Sequence, residues 1–278
     1  MHMHTRRRAR LVLVLVAAIG VGFTAYPGSA AAAPNCVLPA GAASKSCVKF
    51  VVTPNNPGAP FTNSALFVRF NALFKPNASW NSVTLLLDND FRIIPGTIPH
   101  CSKAQLVGKN IAQAWAVCGP GAGASQNAYL SPPSAVSGRA STVPPNNYPA
   151  CTLVFNGPIV NGNPTVLLYL RVTTVANGVA NCSNPAANVG GNYTEVLVAK
   201  IANAGVAGFN KKLTIANVYV LSNDLDDYYA TIKRGSYFQA RCPTGTTPWK
   251  VRGLFTYKPG PYSPAEAGDT YNATQPCS

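Results

Sequence analysis

Eight cysteines, Cys36, Cys47, Cys101, Cys118, Cys151, Cys182, Cys242 and Cys277, constrain what this chain can fold into more than any other feature. Their number is even, and the closest spacing, Cys36 to Cys47, leaves ten residues between. Zinc sites take Cys pairs two to four residues apart, commonly with His partners, so the spacing points to disulfides rather than metal. Many connectivities are open to eight cysteines, and the spacings favour neighbours: 36–47, 101–118, 151–182 and 242–277. Closing a loop the size of 101–118 contributes roughly 3 kcal/mol by restricting the unfolded chain.

Disulfides require an oxidising compartment, and the N-terminus reads as a route to one. Arg6, Arg7, Arg8 and Arg10 precede an apolar run, Leu11 to Phe23, and Ala30 to Ala33 offer small residues to a signal peptidase. The run falls short of the about 20 apolar residues that a spanning helix needs. Residues 1–33 are therefore expected to be a secretory signal peptide, and the product not an integral membrane protein after cleavage. Cys36 follows Ala33-Pro34-Asn35, which is no lipobox, so release or loose envelope association is expected rather than lipid anchoring.

Removing the four leader arginines from 22 Lys+Arg against 8 Asp+Glu leaves a net charge of +10. The stock of titratable groups is poor: beyond the leader stand one histidine, His100, two glutamates, Glu195 and Glu266, and six aspartates. That scarcity argues against most acid–base and nucleophilic enzymes.

Forty-seven Pro and Gly residues, 24 and 23, are scattered along the chain and cut it into short segments. Between them lie runs rich in β-branched and aromatic residues, the strongest being Val48 to Thr53, Leu66 to Phe70, Val83 to Leu87, Phe91 to Ile94 and Thr152 to Phe155. Further along stand Thr165 to Thr174, Thr194 to Ile201, Leu213 to Leu221, Ser236 to Arg241 and Trp249 to Tyr257. In Thr165 to Thr174 the alternation puts Val166, Leu168, Leu170 and Val172 on one face, with Leu167, Tyr169, Arg171 and Thr173 opposite, the pattern of a half-buried strand. Helical spacing occurs around Ser102 to Cys118, where Ile111, Trp115 and Cys118 share a face and Gly108 is expected to split the segment in two. Gly119 to Tyr148 is dominated by Gly, Ala, Ser, Pro and Asn and reads as a long surface loop, at 119–150, tied down by Cys118 and Cys151. The expected fold is all-β: an antiparallel β-sandwich, jelly-roll-like, with a short helical insertion, stapled by disulfides, forming a single domain over 34–278.

At Phe91-Arg92-Ile93-Ile94-Pro95-Gly96-Thr97-Ile98-Pro99-His100-Cys101, Ala104-Gln105-Leu106 and Cys118-Gly119 the chain resembles a group of secreted actinobacterial β-rich proteins of unknown function. There a strand runs into a Gly/Pro turn ending in Cys, a short helix and a second Cys. Phe155-Asn156-Gly157 and Ser236 to Pro243 extend the likeness, which covers roughly Leu66 to Cys277. The resemblance implies an exported β-rich domain and carries no activity. The present chain departs from that pattern in its long loop after Cys118 and in Cys151 and Cys182.

Candidate chemistry is sparse. His100 is the one imidazole available to a Ser or Cys nucleophile, but it stands between Pro99 and Cys101, where a turn residue is the simpler reading, and no Gly-x-Ser-x-Gly elbow occurs. Two acidic clusters, Asp88-Asn89-Asp90 and Asp224-Leu225-Asp226-Asp227, are explained as turns without any ligand. Were they to hold something, a structural calcium ion ranks ahead of general acid chemistry; no cofactor is expected. The feature that most exceeds background is Tyr228 to Ala265, which carries Lys233, Arg234, Arg241, Lys250, Arg252 and Lys258 and no acid, interleaved with tyrosines, Phe238, Trp249 and Phe255. Cations beside aromatic faces suit anionic polymers or lipid headgroups. Nucleic acid ranks lower, because none of its recognition motifs accompanies the charge.

Strand alternation refines this expectation. Tyr237, Gln239 and Arg241 share one face and Phe238 and Ala240 the other, while Lys250 and Arg252 point together, opposite Trp249 and Val251. If these two strands pair, a cationic row edged by Tyr237 faces solvent. The candidate binding residues are then Lys233, Arg234, Tyr237, Arg241, Lys250 and Arg252. The expected protein is secreted or envelope-associated and non-catalytic, with an anionic cell-envelope polymer or lipid surface as partner. An exported hydrolase using His100 or the Asp clusters is the alternative.

Overall fold

Two fully buried tryptophans, Trp80 and Trp249, mark where the hydrophobic runs converge. A computed structural model of the chain describes residues 34–38, 45–72, 79–120, 127–130, 138–142, 149–173, 192–220, 223–245, 247–258 and 268–277. Residues Ala32–Ser278 form one compact unit.

In chain order the strands are β1 (Ser46–Thr53), β2 (Thr62–Asn63), β3 (Ala65–Ala72), β4 (Ser79–Asp88) and β5 (Phe91–Ile93). Helices α1 (Lys103–Leu106) and α2 (Ile111–Cys118) follow, then β6 (Gly138–Thr142), β7 (Ala150–Val160), β8 (Asn163–Thr173), β9 (Asn192–Asn203) and β10 (Phe209–Ala216). The chain ends through β11 (Tyr219–Val220), β12 (Asn223–Ile232), β13 (Phe238–Ala240), β14 (Trp249–Lys258) and β15 (Asp269–Gln275). The fold is mostly β, antiparallel and sandwich-like. Among the described residues, twelve strands form one sheet in the order β1-β3-β12-β6-β7-β8-β9-β10-β4-β14-β15, with β11 beside β12, and a smaller sheet runs β2-β13-β5.

The long sheet folds back so that its ends face each other across the core. Val48, Phe50 and Val52 of β1, Leu66 and Phe70 of β3, and Tyr228 of β12 are buried with Val83, Leu85 and Leu87 of β4 and Val251 and Phe255 of β14. Phe70 lies between Trp80, at 5.2 Å, and Tyr228, at 4.9 Å. A buried polar chain spans the layers, the Trp80 indole N–H donating to Ser46 Oγ at 2.8 Å, which shares a 2.7 Å bond with Tyr257 Oη. Opposite β1, Gly253 leaves no room for a side chain: a Cβ there would lie 2.5 Å from Val48 and 2.8 Å from the Phe255 ring.

The two ends of the sheet are stitched by side chains. The Val52 N–H donates to Gln275 Oε1 at 2.8 Å, and Gln275 Nε2 returns a bond to Val52 O at 3.2 Å. At the other end of the seam Asp269 Oδ2 accepts from the N–H groups of Lys45 and Ser46. An amide and a carboxylate thus satisfy backbone groups that an open edge would leave for another chain.

Three of the four nearest-neighbour disulfides are present, Cys36–Cys47, Cys101–Cys118 and Cys242–Cys277. Cys151 is disulfide-bonded as well, while Cys182 lies outside the described residues. The helical insertion is two short helices divided at Gly108, whose φ of +74° ends the first. Each begins with a reciprocal cap, Ser102 with Gln105 and Asn110 with Gln113.

Several expectations are corrected. Thr165 to Thr174 was expected half-buried, but Leu167 and Tyr169 are buried as well as Val166 and Leu168, because α1 and α2 cover the second face. Tyr169 Oη donates to Lys109 O at 2.7 Å, and burial pushes its phenol up to about 12. The stretch expected as a loop, 119–150, carries β6, which fills the sheet between β12 and β7, and buries Ala128 and Leu130. Asp224 to Asp227 is no turn: it opens β12, with Asp227 taking a bidentate bond from Arg69 of β3 at 2.9 and 2.8 Å. Asp88 to Asp90 is the turn expected, between β4 and β5.

Candidate functional site

Two phenylalanines organise the exposed cations. The guanidinium of Arg92 lies 3.7 Å from the centre of the Phe61 ring and that of Arg241 lies 4.7 Å from it, so one ring carries two arginines. Phe209, mostly buried, does the same for β14, with Lys250 Nζ at 5.5 Å and the Arg252 guanidinium at 5.0 Å. Aromatic faces attract cations through their quadrupole, and here two rings gather four of them.

Strand alternation places Lys250 and Arg252 as expected: both are partly exposed, and Trp249 and Val251, alternating with them, are buried. Arg252 Nε donates to Asn272 Oδ1 of β15 at 2.7 Å, a neutral partner. The pairing expected between the two strands does not form. β13 lies in the small sheet between β2 and β5, and β14 lies in the large one between β4 and β15. What brings Arg241 and Lys250 together is the turn between β4 and β5. Arg241 Nε donates to Asp90 Oδ1 at 2.6 Å, and the Lys250 N–H donates to Asp88 Oδ2 at 2.9 Å. The Trp249 indole adds a 2.7 Å bond to Arg241 O.

That turn, Gly208, Pro248 and Lys250 border a cleft of about 170 Å³. Burial pushes the Asp88 carboxyl above the usual carboxylate range, opposed by the N–H groups of Asp90 and Lys250 that bond to it. Asp227, of the second acidic cluster, belongs to a different place, the β3–β12 pair, and does not face this cleft. Among the described residues no three His, Cys, Asp or Glu side chains converge as a metal site.

Two candidate residues serve the fold instead. Tyr237 does not edge a cationic row: it is fully buried, because a turn closed by its N–H on Arg234 O precedes β13 and aims the ring inward beside Phe238. Burial pushes its phenol upward. Arg234 holds the segment before β6, donating from Nη1 to Asn127 O at 2.6 Å and Tyr129 O at 2.8 Å, with its guanidinium 4.2 Å from the Tyr129 ring centre. Lys233 is exposed.

His100 is exposed between Pro99 and Cys101 and does not border the cleft at the Asp88–Asp90 turn. Asn156, buried below it, holds the turn by donating from Nδ2 to Ile98 O at 2.8 Å.

Sequence reasoning missed Phe61, Arg92 and Phe209. The signal was faint: each stands outside the basic stretch, and only β2 and β10 bring the two phenylalanines to it. No helix among the described residues is long and apolar enough to cross a membrane. No family model, curated protein or solved structure matches the chain.

Proposed function

We propose that this is a secreted or envelope-associated, non-catalytic protein that binds anionic surface material of the cell envelope through the Phe61 and Phe209 platforms. The observation that carries this reading is the doubling of cations on each ring, Arg92 with Arg241 and Lys250 with Arg252. Two positive charges gathered at one aromatic ring repel each other, an arrangement that an incoming anion relieves. The disulfides fit an oxidising, extracellular location, and the leader and the resemblance to exported actinobacterial proteins support the same placement.

The cations are not equivalent. Asp90 already pairs with Arg241 and Asp88 lies within electrostatic reach of Lys250, whereas the Arg252 Nε bonds a neutral amide. Retention on immobilised teichoic acid is expected to fall steeply as salt shortens the screening length towards about 8 Å at physiological ionic strength. The pair Lys250→Gln with Arg252→Gln should weaken retention more than Arg241→Gln alone. Retention unchanged when all three are replaced overturns the reading and leaves the charge a role in solubility.

A further inference from the structure

The cationic platforms stand next to two hairpin tips that expose aliphatic side chains. At the β7–β8 turn, Asn161 and Gly162 take φ of +50° and +72°, as a tight two-residue hairpin needs, and Ile159 and Val160 just before them are 60% and 45% exposed. At the β9–β10 turn Val206 is 41% exposed. The tips are neighbours, since β8 pairs with β9 in a register that sets Thr165 opposite Lys200. Between them a groove of about 190 Å³ is lined by Ile93, Pro95, Pro164 and Ile201 together with Asn163, Asn203 and Lys211. Scattered aliphatics on a surface need no explanation, but three on adjacent tips at one end of the sheet form a patch.

The charge around the patch is mostly positive, the exceptions being Asp88, which lies opposite Phe209 in the β4–β10 pair, and Asp90, which borders the neighbouring cleft with Gly208. Residues 156–166 and 200–216 contain no Asp or Glu, whereas Lys200, Lys211 and Lys212 lie in the second segment. The patch also connects directly to the platform: the Phe209 N–H donates to Val206 O at 3.1 Å, and Phe209 carries Lys250 and Arg252. Asn210 Nδ2 donates to Phe91 O at 3.1 Å, which ties the β10 end of the tip to the strand that carries Arg92. Aliphatic tips collared by lysine and arginine match a membrane surface, where apolar groups enter the boundary of the acyl region and cations meet anionic headgroups.

We infer that the two hairpin tips dock this protein onto an anionic lipid surface, Ile159, Val160 and Val206 entering the bilayer boundary while Lys211, Lys250 and Arg252 meet the headgroups. The inference rests on the anionic-surface reading above and selects lipid over soluble or wall polymer as the occupant of this end.

The test is co-sedimentation of the Ala32–Ser278 unit with vesicles of phosphatidylglycerol and phosphatidylcholine, against vesicles of phosphatidylcholine alone, with retention on teichoic acid measured in parallel. Sedimentation is expected with the anionic vesicles only. The triple change Ile159→Ser, Val160→Ser, Val206→Ser should lower vesicle partitioning at least tenfold and leave retention on teichoic acid unchanged. A second variant, Ile159→Trp, should shift its emission to the blue on anionic vesicles. Wild-type sedimentation by the serine variant, or an Ile159→Trp emission that ignores vesicles, overturns the lipid inference. Polymer retention without vesicle binding overturns it too and leaves the broader reading standing; absence of both sinks the two together. Sedimentation without vesicles that depends on Ile159 and Val160 would show that a second copy covers the tips, and the inference fails.

Discussion

Gln275 bonds both backbone groups of Val52, its oxygen accepting from the N–H and its amide donating to the carbonyl. One side chain on β15 thereby does for β1 what a paired strand would do, its amide supplying both the acceptor and the donor. Gln275→Ala leaves two edge groups of β1 unmet and is expected to cost about 1–3 kcal/mol. A denaturant melt measures the loss, and amide exchange at Val52 should accelerate more than at Phe50. Equal protection at both sites would show that the seam is held elsewhere.

Gly253→Ala puts a Cβ against Val48 and the Phe255 ring in a packed core. Overpacking of this kind is expected to cost about 1–3 kcal/mol. Adding Val48→Ala should recover part of that loss, because the contact is shared, and the double-mutant cycle reads the coupling directly. Strict additivity would mean that the layers separate elsewhere to admit the methyl.

The pH dependence of Asp88 has a definite sign. Burial raises its folded pKa above the unfolded value of 3.8, so the folded state holds the proton more tightly. Its contribution to stability is therefore greatest below the unfolded pKa and declines as pH rises through the folded one. The stability of the wild type relative to Asp88→Asn should fall as pH is raised from the acid side of that window. A rise instead would mean that the Asp90 and Lys250 N–H groups outweigh burial.

Arg234→Gln removes the donor pair that holds Asn127 O and Tyr129 O. The expected consequence is local: faster proteolytic cleavage near Asn127, with a loss of global stability of about 1–3 kcal/mol. Arg234→Lys should not restore protection, because an ammonium lacks the planar face that stacks on Tyr129. Protection equal to the wild type in Arg234→Gln would assign the anchoring of this segment to the buried Ala128 and Leu130.

The strands written in β-branched and aromatic residues were legible in advance, from Val48 to Thr53 through Trp249 to Tyr257, as were the split helix at Gly108 and three neighbour disulfides. The strands that were not legible are polar. β12 opens on Asn223-Asp224-Leu225-Asp226-Asp227, β15 reads Asp-Thr-Tyr-Asn-Ala-Thr-Gln, and β6 is Gly-Arg-Ala-Ser-Thr. Each exists because its neighbours offer backbone partners, a tertiary cause that local composition does not carry. The helix starts are written in the sequence too, as Ser102 with Gln105 and Asn110 with Gln113 three residues on. At the candidate site, alternation located Lys250 and Arg252 but failed for Tyr237, one residue before its strand begins. The joining of Arg241 to Lys250 depends on a turn from a distant part of the chain, which no spacing within 228–265 encodes.

The three disulfides described join cysteines 11, 17 and 35 residues apart, whereas the seam joins Lys45 to Asp269. In a chain that emerges from its N-terminus, each cysteine of these pairs meets its native partner before the next pair appears. Covalent order can thus be laid down vectorially, without reshuffling. The sheet itself cannot close until the final strand has been delivered, so a nascent chain can be fully crosslinked at its first two bridges while its two layers still lack the strand that seals them.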